Sequence, residues 1–171
     1  MAVLPISKFP DPVLKTQAIE IQNITGVERK LAVDMIETMY AESGVGLAAN
    51  QVGILKQIFV ASADQVRGNE MVFLNPRIVK RQGTIKEFEG CLSIPEFFEP
   101  VKRSKKVWLH AMTLDGKTVE VAAEGLLARI FQHECDHLNG ILFVDRLGPV
   151  KSRLAKKGLT TKALNRVKGE R

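Results

Sequence analysis

Two of the three histidines in the chain stand four residues apart in the segment RIFQHECDHLNG, residues 129–140. Because residues four apart on a helix lie on one face, His133 and His137 can bind the same metal ion. The H-E-x-x-H spacing therefore predicts a helix from about Glu124 to Leu138 with a metal site on one face. Glu134 is rotated by about 100° from His133, so its carboxylate can reach a water molecule beside the metal without binding the metal.

The same helix face carries apolar side chains. Leu126 and Ile130 fall within the arc of His133 and His137 when successive residues are placed about 100° apart. Two core histidines satisfied by hydrogen bonds are the alternative interpretation, but a glutamate between them favours metal binding. Cys135 lies about 200° round the helix from His133, so we expect it to pack in the core.

The composition is that of one soluble globular domain. Of the 171 residues, 45% are hydrophobic and 26% are charged, and no apolar run approaches the roughly 18 residues of a membrane span. The segment MAVLPISKFPDP lacks the basic and apolar regions of a signal peptide. Two cysteines provide no disulfide framework. We therefore expect a cytoplasmic protein that engages neither membrane nor DNA.

The formal net charge of +6 is concentrated at the C-terminus. Residues 151–171 contain eight basic residues and one acid, which leaves 17 basic and 18 acidic residues in the rest of the chain. We therefore divide the chain into a nearly neutral main domain, residues 1–148, and a basic C-terminal helix or tail, residues 149–171. Leu147, Val150 and Leu154 form a short apolar stripe, which is typical of a helix that leaves the body and carries its basic side chains outward.

The hydrophobic pattern predicts an α+β fold. Apolar residues at helical spacing indicate a helix from about Thr25 to Glu42, followed by a glycine-punctuated loop, SGVGLAANQVG. The segments QIFVA and MVFLNPRIVKR are typical of strands, and KVWLHAMTLDGKTVEV indicates a β-hairpin that turns at Asp115-Gly116. A last helix begins near Pro149. We therefore expect mixed or antiparallel β-sheets packed around a central H-E-x-x-H helix, with a C-terminal helix.

Two histidines do not complete a catalytic zinc-type site, which needs three protein ligands and an open position. The pattern H-E-x-x-H-x-x-G-x-x-H fits through Gly140, but Phe143 occupies the position of its last histidine. A thermolysin-like site requires a downstream glutamate, and the acids that follow His137 are Asp145 and Glu170. The third ligand must therefore lie upstream or be absent.

The upstream candidates are His110 and Cys91. His110 stands in the predicted hairpin strand VWLHAMTL without a companion, which makes it the weaker candidate. Cys91 follows Gly90, which permits a tight backbone approach, and a thiolate is a strong ligand for zinc or ferrous iron. A buried structural thiol is the alternative interpretation of Cys91.

Three segments, present together and in this order, resemble the peptide deformylase family: GVGLAANQ (44–51), EGCLS (89–93) and QHECDHL (132–138). The similarity runs from about Pro10 to Leu147. It implies a metal ion held by Cys91, His133 and His137, with Fe²⁺ the usual ion and Zn²⁺, Ni²⁺ or Co²⁺ able to replace it. It also implies an enzyme that removes the formyl group from the N-formylmethionine of nascent proteins and releases formate.

The resemblance assigns roles to residues near the metal. It implies that Glu134 takes a proton from the attacking water and passes it to the departing amine. The side-chain amide of Gln51 and the backbone N–H of Leu92 would stabilise the oxyanion. The loop at Val45 and Gly46 would pair with the peptide as an extra strand.

The substrate methionine would occupy an apolar pocket whose walls are Val45, Leu126, Ile130 and His133. Plain core packing is the alternative role of the aliphatic residues. Many bacterial relatives carry an arginine shortly after the SIP turn, where this sequence has Phe97 and Phe98. This departure puts polar contacts beyond the methionine in doubt and favours apolar residues there.

Other functions remain open from the sequence alone. A zinc metallo-endopeptidase could use the same helix, and a non-catalytic structural metal-binding module could use the same ligands. Structural zinc sites close all four positions with protein ligands, whereas three are evident here. For an enzyme that acts on nascent proteins, the basic segment from about Lys151 onward predicts ribosome association through phosphate contacts. A solvated basic tail is the alternative.

Overall fold

Seven strands, three α-helices and short 3₁₀ turns make up the part of the chain that the computed structural model describes, residues 2–169, with side chains described as far as residue 163. The helices are α1 (Gly26–Ala41), α2 (Gly125–Leu138) and α3 (Pro149–Gly169). The strands are β1 (Gly46–Ala48), β2 (Ile58–Ala61), β3 (Met71–Gln82), β4 (Ile85–Cys91), β5 (Ile94–Arg103), β6 (Lys106–Met112) and β7 (Thr118–Glu124). The 3₁₀ turns are Pro12–Lys15, Ala49–Val52 and Phe143–Arg146.

Helix α2 lies at the centre of this arrangement. Five strands form one antiparallel sheet in the order β1-β2-β3-β6-β7, and α2 contacts each of them. Strands β4 and β5 pair with each other in a separate antiparallel hairpin. The α+β fold predicted from the sequence, with antiparallel sheets around the H-E-x-x-H helix and a C-terminal helix, is therefore confirmed.

Aromatic packing holds α2 against the sheet. The ring of Phe131 lies 5.9 Å from that of Phe59 and 5.2 Å from that of Phe73, measured between centroids. Burial of one such side chain contributes roughly 1.5–3 kcal/mol. The helix ends at Leu138, and Gly140 adopts a φ of 70° just beyond it, a conformation that glycine takes at little cost. The face of α2 that carries the histidines is thereby turned towards the β4–β5 hairpin.

Helix α1 begins where the sequence predicts. Thr25 caps its first turn through a reciprocal capping box with Glu28. Leu31, Met35 and Met39 are buried and pack with residues of β1 and β2. This packing supports the sheet edge that borders the functional site.

The segment that follows α1 differs from the predicted continuous loop. Residues Gly46–Ala48 form the edge strand β1, which pairs with β2, and Ala49–Val52 form a 3₁₀ turn. All of Leu47, Ala48 and Ala49 are fully buried. A three-residue strand that begins with a glycine has no local signature, because its pairing with β2 and its burial are non-local.

Helix α3 packs against the body for much of its length, which differs from the prediction of a helix that leaves the body. Ala155 and Leu159 pack in an apolar cluster that includes Leu147 and Phe143, whereas Leu154 is exposed. Ion pairs add to this contact: Lys151 with Glu99, Lys156 with Asp145, and Lys162 with Glu96. The side chains beyond residue 163, which carry the rest of the predicted basic tail, lie outside the described residues.

Candidate metal centre and active site

Three side chains offer ligand atoms to one point between α2 and the β4–β5 hairpin. Nε2 of His137 lies 3.1 Å from Sγ of Cys91 and 3.2 Å from Nε2 of His133, and all three atoms lie within 4.8 Å of one another. Such separations suit neighbouring ligands of a tetrahedral ion with bonds of roughly 2.0–2.3 Å. The structure thus brings together the three predicted metal ligands.

A buried ion-pair network orients His133. The guanidinium of Arg103 donates to both oxygens of Glu89, at 2.8 and 2.9 Å, and to Asp136 at 2.5 Å. Oε2 of Glu89 lies 3.1 Å from Nδ1 of His133. Burial opposes ionisation of Glu89, but hydrogen bonds with His133 and Arg103 lower its pKa to about 2. This carboxylate keeps the proton of His133 on Nδ1 and leaves Nε2 free for an ion.

The two imidazoles of the centre have pKa values that are shifted in opposite directions. Burial lowers the pKa of His137 well below its usual value, so its imidazole is in the neutral form that binds metals. Burial would also lower the pKa of His133, but interactions with Cys91 and Glu89 raise it. Cys91 and Glu89 therefore stabilise positive charge at His133, whereas His137 stays neutral.

Glu134 lies beside this centre and outside the ligand group. Its side chain is buried, and Oε2 has no hydrogen-bond partner among the described residues. Burial raises its pKa to about 7. A Cβ on Gly46 would lie 2.5 Å from Oε1 of Glu134 and 2.8 Å from Ile130, so glycine at this position lets β1 approach the carboxylate.

Gln51 is buried, which excludes the interpretation of a loop glutamine that faces water. Its Oε1 accepts the backbone N–H of Ala48 at 2.8 Å. Its Nε2 lies 3.3 Å from Oγ of Ser93 and 3.5 Å from Sγ of Cys91. The 3₁₀ turn that carries Gln51 and the turn that carries Leu92 therefore meet beside Cys91.

A cavity of about 490 Å³ opens onto these groups. The predicted site residues that line it are Val45, Gly46, Gln51, Cys91, Leu92, Leu126, Ile130, His133 and Glu134. His137 is 1% exposed and lies beneath the cavity wall. The aliphatic residues among them make one part of the cavity apolar, next to the polar centre.

The sequence interpretation missed several residues of the site. Glu89 stands inside the recognised EGCLS segment, yet its part in orienting His133 depends on Arg103, which is 14 residues away. Arg129 and Phe88 also line the cavity, and Arg129 pairs with Glu87 at its wall. A buried carboxylate is usually paired with a cation. This rule draws attention to Glu89, but no local spacing in the sequence identifies Arg103 as its partner.

His110, the weaker ligand candidate, and Cys135, which is predicted to pack in the core, both lie apart from the centre. His110 is exposed on β6, within the five-stranded sheet. Cys135 is on the face of α2 that packs in the aromatic core. Burial raises the pKa of its thiol to about 12. A protonated core thiol is a poor ligand and a poor nucleophile.

The chemistry of the donor set fits a catalytic metal ion. One thiol and two imidazoles converge, a carboxylate supports one imidazole from behind, and the cavity leaves room for a further ligand. Three protein ligands with an open position and an adjacent unpaired carboxylate are the marks of a metal-dependent hydrolase. The site therefore places the protein in that class.

Comparison with known proteins gives the family. Residues 3–153 match the family described as polypeptide deformylase. The chain is 46% identical over 164 residues to a peptide deformylase of Thermodesulfovibrio yellowstonii, covering 95% of this chain and 99% of that protein. It is 48% identical over 160 residues to peptide deformylase 1 of Pseudomonas syringae pv. tomato, covering 93% of this chain and 95% of that protein.

Solved structures agree with this result. The crystal structure of a peptide deformylase from Legionella pneumophila superposes with a TM-score of 0.90 at 37% identity and covers 99% of each chain. A peptide deformylase from Ehrlichia chaffeensis in complex with actinonin gives a TM-score of 0.87 at 37% identity, covering 95% of this chain and 98% of that one.

The chain belongs to the polypeptide deformylase family. It is a metal-dependent hydrolase that removes the formyl group from formylmethionine at the N-terminus of peptides. The alternatives of a zinc endopeptidase and of a structural metal module are not favoured by these matches. Within residues 2–169, no helix has the length and apolar character that a membrane crossing requires.

Proposed function

We propose that Cys91, His133 and His137 hold one divalent metal ion and that Glu134 performs the proton transfers of deformylation. The observation that supports this most strongly is the convergence of three ligand atoms within 4.8 Å of one another beside a cavity. When bound there, the ion supplies a Lewis acid and lowers the pKa of water. Turnover of formyl-Met-Ala-Ser, compared with the unformylated peptide, tests the assignment.

Glu134, Gln51 and Leu92 have separate roles in the reaction. Glu134, whose Oε2 has no partner among the described residues, accepts the proton of the attacking water and delivers it to the leaving amine nitrogen. Nε2 of Gln51 and the backbone N–H of Leu92 donate to the developing oxyanion. This assignment is supported by the position of Gln51, whose Nε2 lies 3.5 Å from Sγ of Cys91.

The peptide binds along β1. This strand is at the edge of the five-stranded sheet, so a substrate in extended conformation can pair with its free side at Val45 and Gly46. The methionine side chain then enters the apolar part of the cavity, between Leu126 and Ile130. The peptide that binds in the cavity is the N-terminus of a nascent protein. We propose that the enzyme acts in the cytoplasm.

We propose Fe²⁺ as the native ion. Thiolate and imidazole ligands suit both iron and zinc, and Cys91 lines the cavity and is accessible to oxidants. Protein purified without air is expected to contain iron and to lose activity on exposure to oxygen, while catalase or substitution by nickel protects it. Metal analysis and activity half-lives in the presence and absence of oxygen measure this. Equal half-lives would argue for native zinc.

We also propose that the main domain, residues 1–148, carries catalysis and that the basic helix from Pro149 onward mediates ribosome association. Three of its lysines, Lys151, Lys156 and Lys162, are engaged by acids of the body. Arg153 and Lys157 are exposed and form no ion pair among the described residues. They share the outward face of α3 with Leu154, so among the side chains of α3 described up to residue 163 they can reach RNA phosphate.

Charge reversal on this outward face tests the role of α3. The double substitution Arg153→Glu and Lys157→Glu is expected to weaken co-sedimentation with ribosomes at low salt. Loss of two phosphate contacts reduces the slope of log affinity against log salt by about two. Hydrolysis of formyl-Met-Ala-Ser should be unchanged. The matched control reverses Lys105 and Lys117, which are exposed on the body, and equal effects of both pairs would remove α3 from ribosome binding.

A further inference from the structure

Two adjoining cavities lie on a face of α2 other than the one that carries the histidines. Their volumes are about 440 and 360 Å³, and both are lined by Arg81, Asp136 and Arg146. None of the three proposed metal ligands lines either cavity. We call the two cavities together the basic groove, because most of the charged side chains in its wall are arginine or lysine.

The smaller cavity of the groove has an excess of positive charge. Its charged residues are one acid, Asp136, and four bases, Arg81, Lys102, Arg103 and Arg146. Arg103 is in addition paired with Glu89 behind the wall. Four bases against two acids leave a net charge of +2. A concave surface with uncompensated positive charge concentrates anions.

Arg81 and Lys102 supply much of this excess. Both side chains are exposed, and neither forms an ion pair within the described part of the chain. Nη1 of Arg81 lies 3.3 Å from Oε1 of Gln132, an oxygen that already accepts the backbone N–H of Ser104 at 2.9 Å. Most of the five N–H donors of this guanidinium therefore remain available to a ligand.

Arg146 is held in place and also keeps free donors. Its Nε and Nη2 donate to Asp136 at 3.0 and 2.6 Å, whereas Nη1 makes no hydrogen bond with a described residue. The buried Arg103 donates to the same carboxylate, so Asp136 fixes both guanidiniums. The hydroxyls of Thr84 and Ser104 stand in the same wall and form no hydrogen bond with described residues. The cavity therefore presents both charged and neutral donors.

These features indicate the chemical class of the ligand. A phosphate group offers several acceptor oxygens, and a guanidinium can bind two of them at once. Its charge of nearly −2 at neutral pH balances the net charge of the wall, which the single charge of a carboxylate does not. The same positive excess disfavours a cation.

We propose that the smaller cavity of the basic groove binds a phosphate group through Arg81, Lys102 and Arg146. The larger cavity adjoins it and is lined by uncharged polar side chains such as Gln17, Gln57 and Asn139. It leaves room for an organic group attached to the phosphate. The ligand is therefore free phosphate or a small phosphate monoester. Because the groove is separate from the metal centre, this site is independent of the proposed assignment of catalytic residues.

Calorimetric titration of the metal-loaded enzyme with inorganic phosphate and with AMP, at constant ionic strength, tests the site. The double substitution Arg81→Ala and Lys102→Ala is expected to weaken binding of both probes about tenfold or more, because hydrogen bonds with charged groups are lost. Hydrolysis of formyl-Met-Ala-Ser should be unchanged, since neither residue lines the catalytic cavity.

The matched control removes one arginine and one lysine elsewhere on the surface. Arg29 and Lys117 are exposed and form no ion pair among the described residues. Arg29→Ala with Lys117→Ala lowers the net charge equally and should leave the affinity for phosphate nearly unchanged. Equal losses in the two double variants would show a general effect of net charge and would overturn the proposal.

The two probes also distinguish the sources of the phosphate group. Tighter binding of AMP than of inorganic phosphate, without binding of adenosine, would identify a monoester whose organic group enters the larger cavity. Equal affinities for AMP and phosphate would identify free phosphate, and either result supports the site. Phosphate binding that persists in Arg81→Ala with Lys102→Ala would place the anion elsewhere and overturn the proposal. Absence of binding to the unaltered enzyme would overturn it as well.

Discussion

Replacement of Cys91 by alanine is expected to remove the metal and nearly all deformylase activity. The substitution takes away one of the three proposed ligand atoms, and the two imidazoles of His133 and His137 that remain are too few to retain a divalent ion. The loss in affinity should exceed the roughly 10–100-fold that follows removal of a residue that only supports a ligand. Metal content per protein, measured after dialysis, and turnover of formyl-Met-Ala-Ser report the two effects separately.

Cys135 supplies the control for this experiment on the same protein. Its thiol is buried in the core beneath α2, so Cys135→Ala should retain both the metal and the activity. The substitution should lower the free energy of unfolding by about 1 kcal/mol, as is usual for a small truncation in the core. Loss of metal in Cys135→Ala together with retention in Cys91→Ala would show that the proposed ligand set is wrong.

The sequence predicts the grouping of His133 and His137 because its signal is local. Helical spacing alone places His133 and His137 together and Cys135 elsewhere, and the structure agrees with both placements. The H-E-x-x-H spacing needs only the geometry of one helix. Cys91 could not be chosen by spacing, since it lies more than 40 residues before His133 and its approach to α2 depends on the β4–β5 hairpin.

The features of the fold and site that the sequence did not predict depend on residues that are distant in the sequence. Glu89 appears as one charge among several in the segment KEFEG, and its burial follows from pairing with Arg103, which also pairs with Asp136. The edge strand β1 exists because β2 pairs with it. The sequence alone does not distinguish Phe97 from Phe98. Because side chains alternate along a strand, Phe97 packs against Phe143 and Phe98 lines the cavity.

The packing of α3 also depends on residues that are distant in the sequence. Amphipathic spacing correctly indicated a helix from about Pro149. It did not show that Ala155 and Leu159 would pack on the body, because that contact requires the surface formed by Phe143 and Leu147. Acids of the body also pair with Lys151, Lys156 and Lys162, so the number of basic residues in the described part of α3 overstates the charge that is free to bind RNA.

Replacement of Glu134 by glutamine or alanine is expected to separate metal binding from catalysis. The carboxylate lies outside the three-ligand group and is buried against β1, so both variants should retain the metal. Loss of a general acid–base should lower kcat by about 10²–10⁴. Glutamine preserves the shape of the side chain beside Gly46, and it therefore controls for the space that alanine would leave.

The comparison of the two Glu134 variants determines the role of the residue. If proton transfer is its role, glutamine and alanine lower kcat to a similar extent while KM for formyl-Met-Ala-Ser changes little, because neither can accept a proton. A variant in which glutamine restores turnover would assign Glu134 to packing, since only the shape would then matter. Loss of the metal together with activity in both variants would make Glu134 a ligand and would require a different residue for the proton transfers.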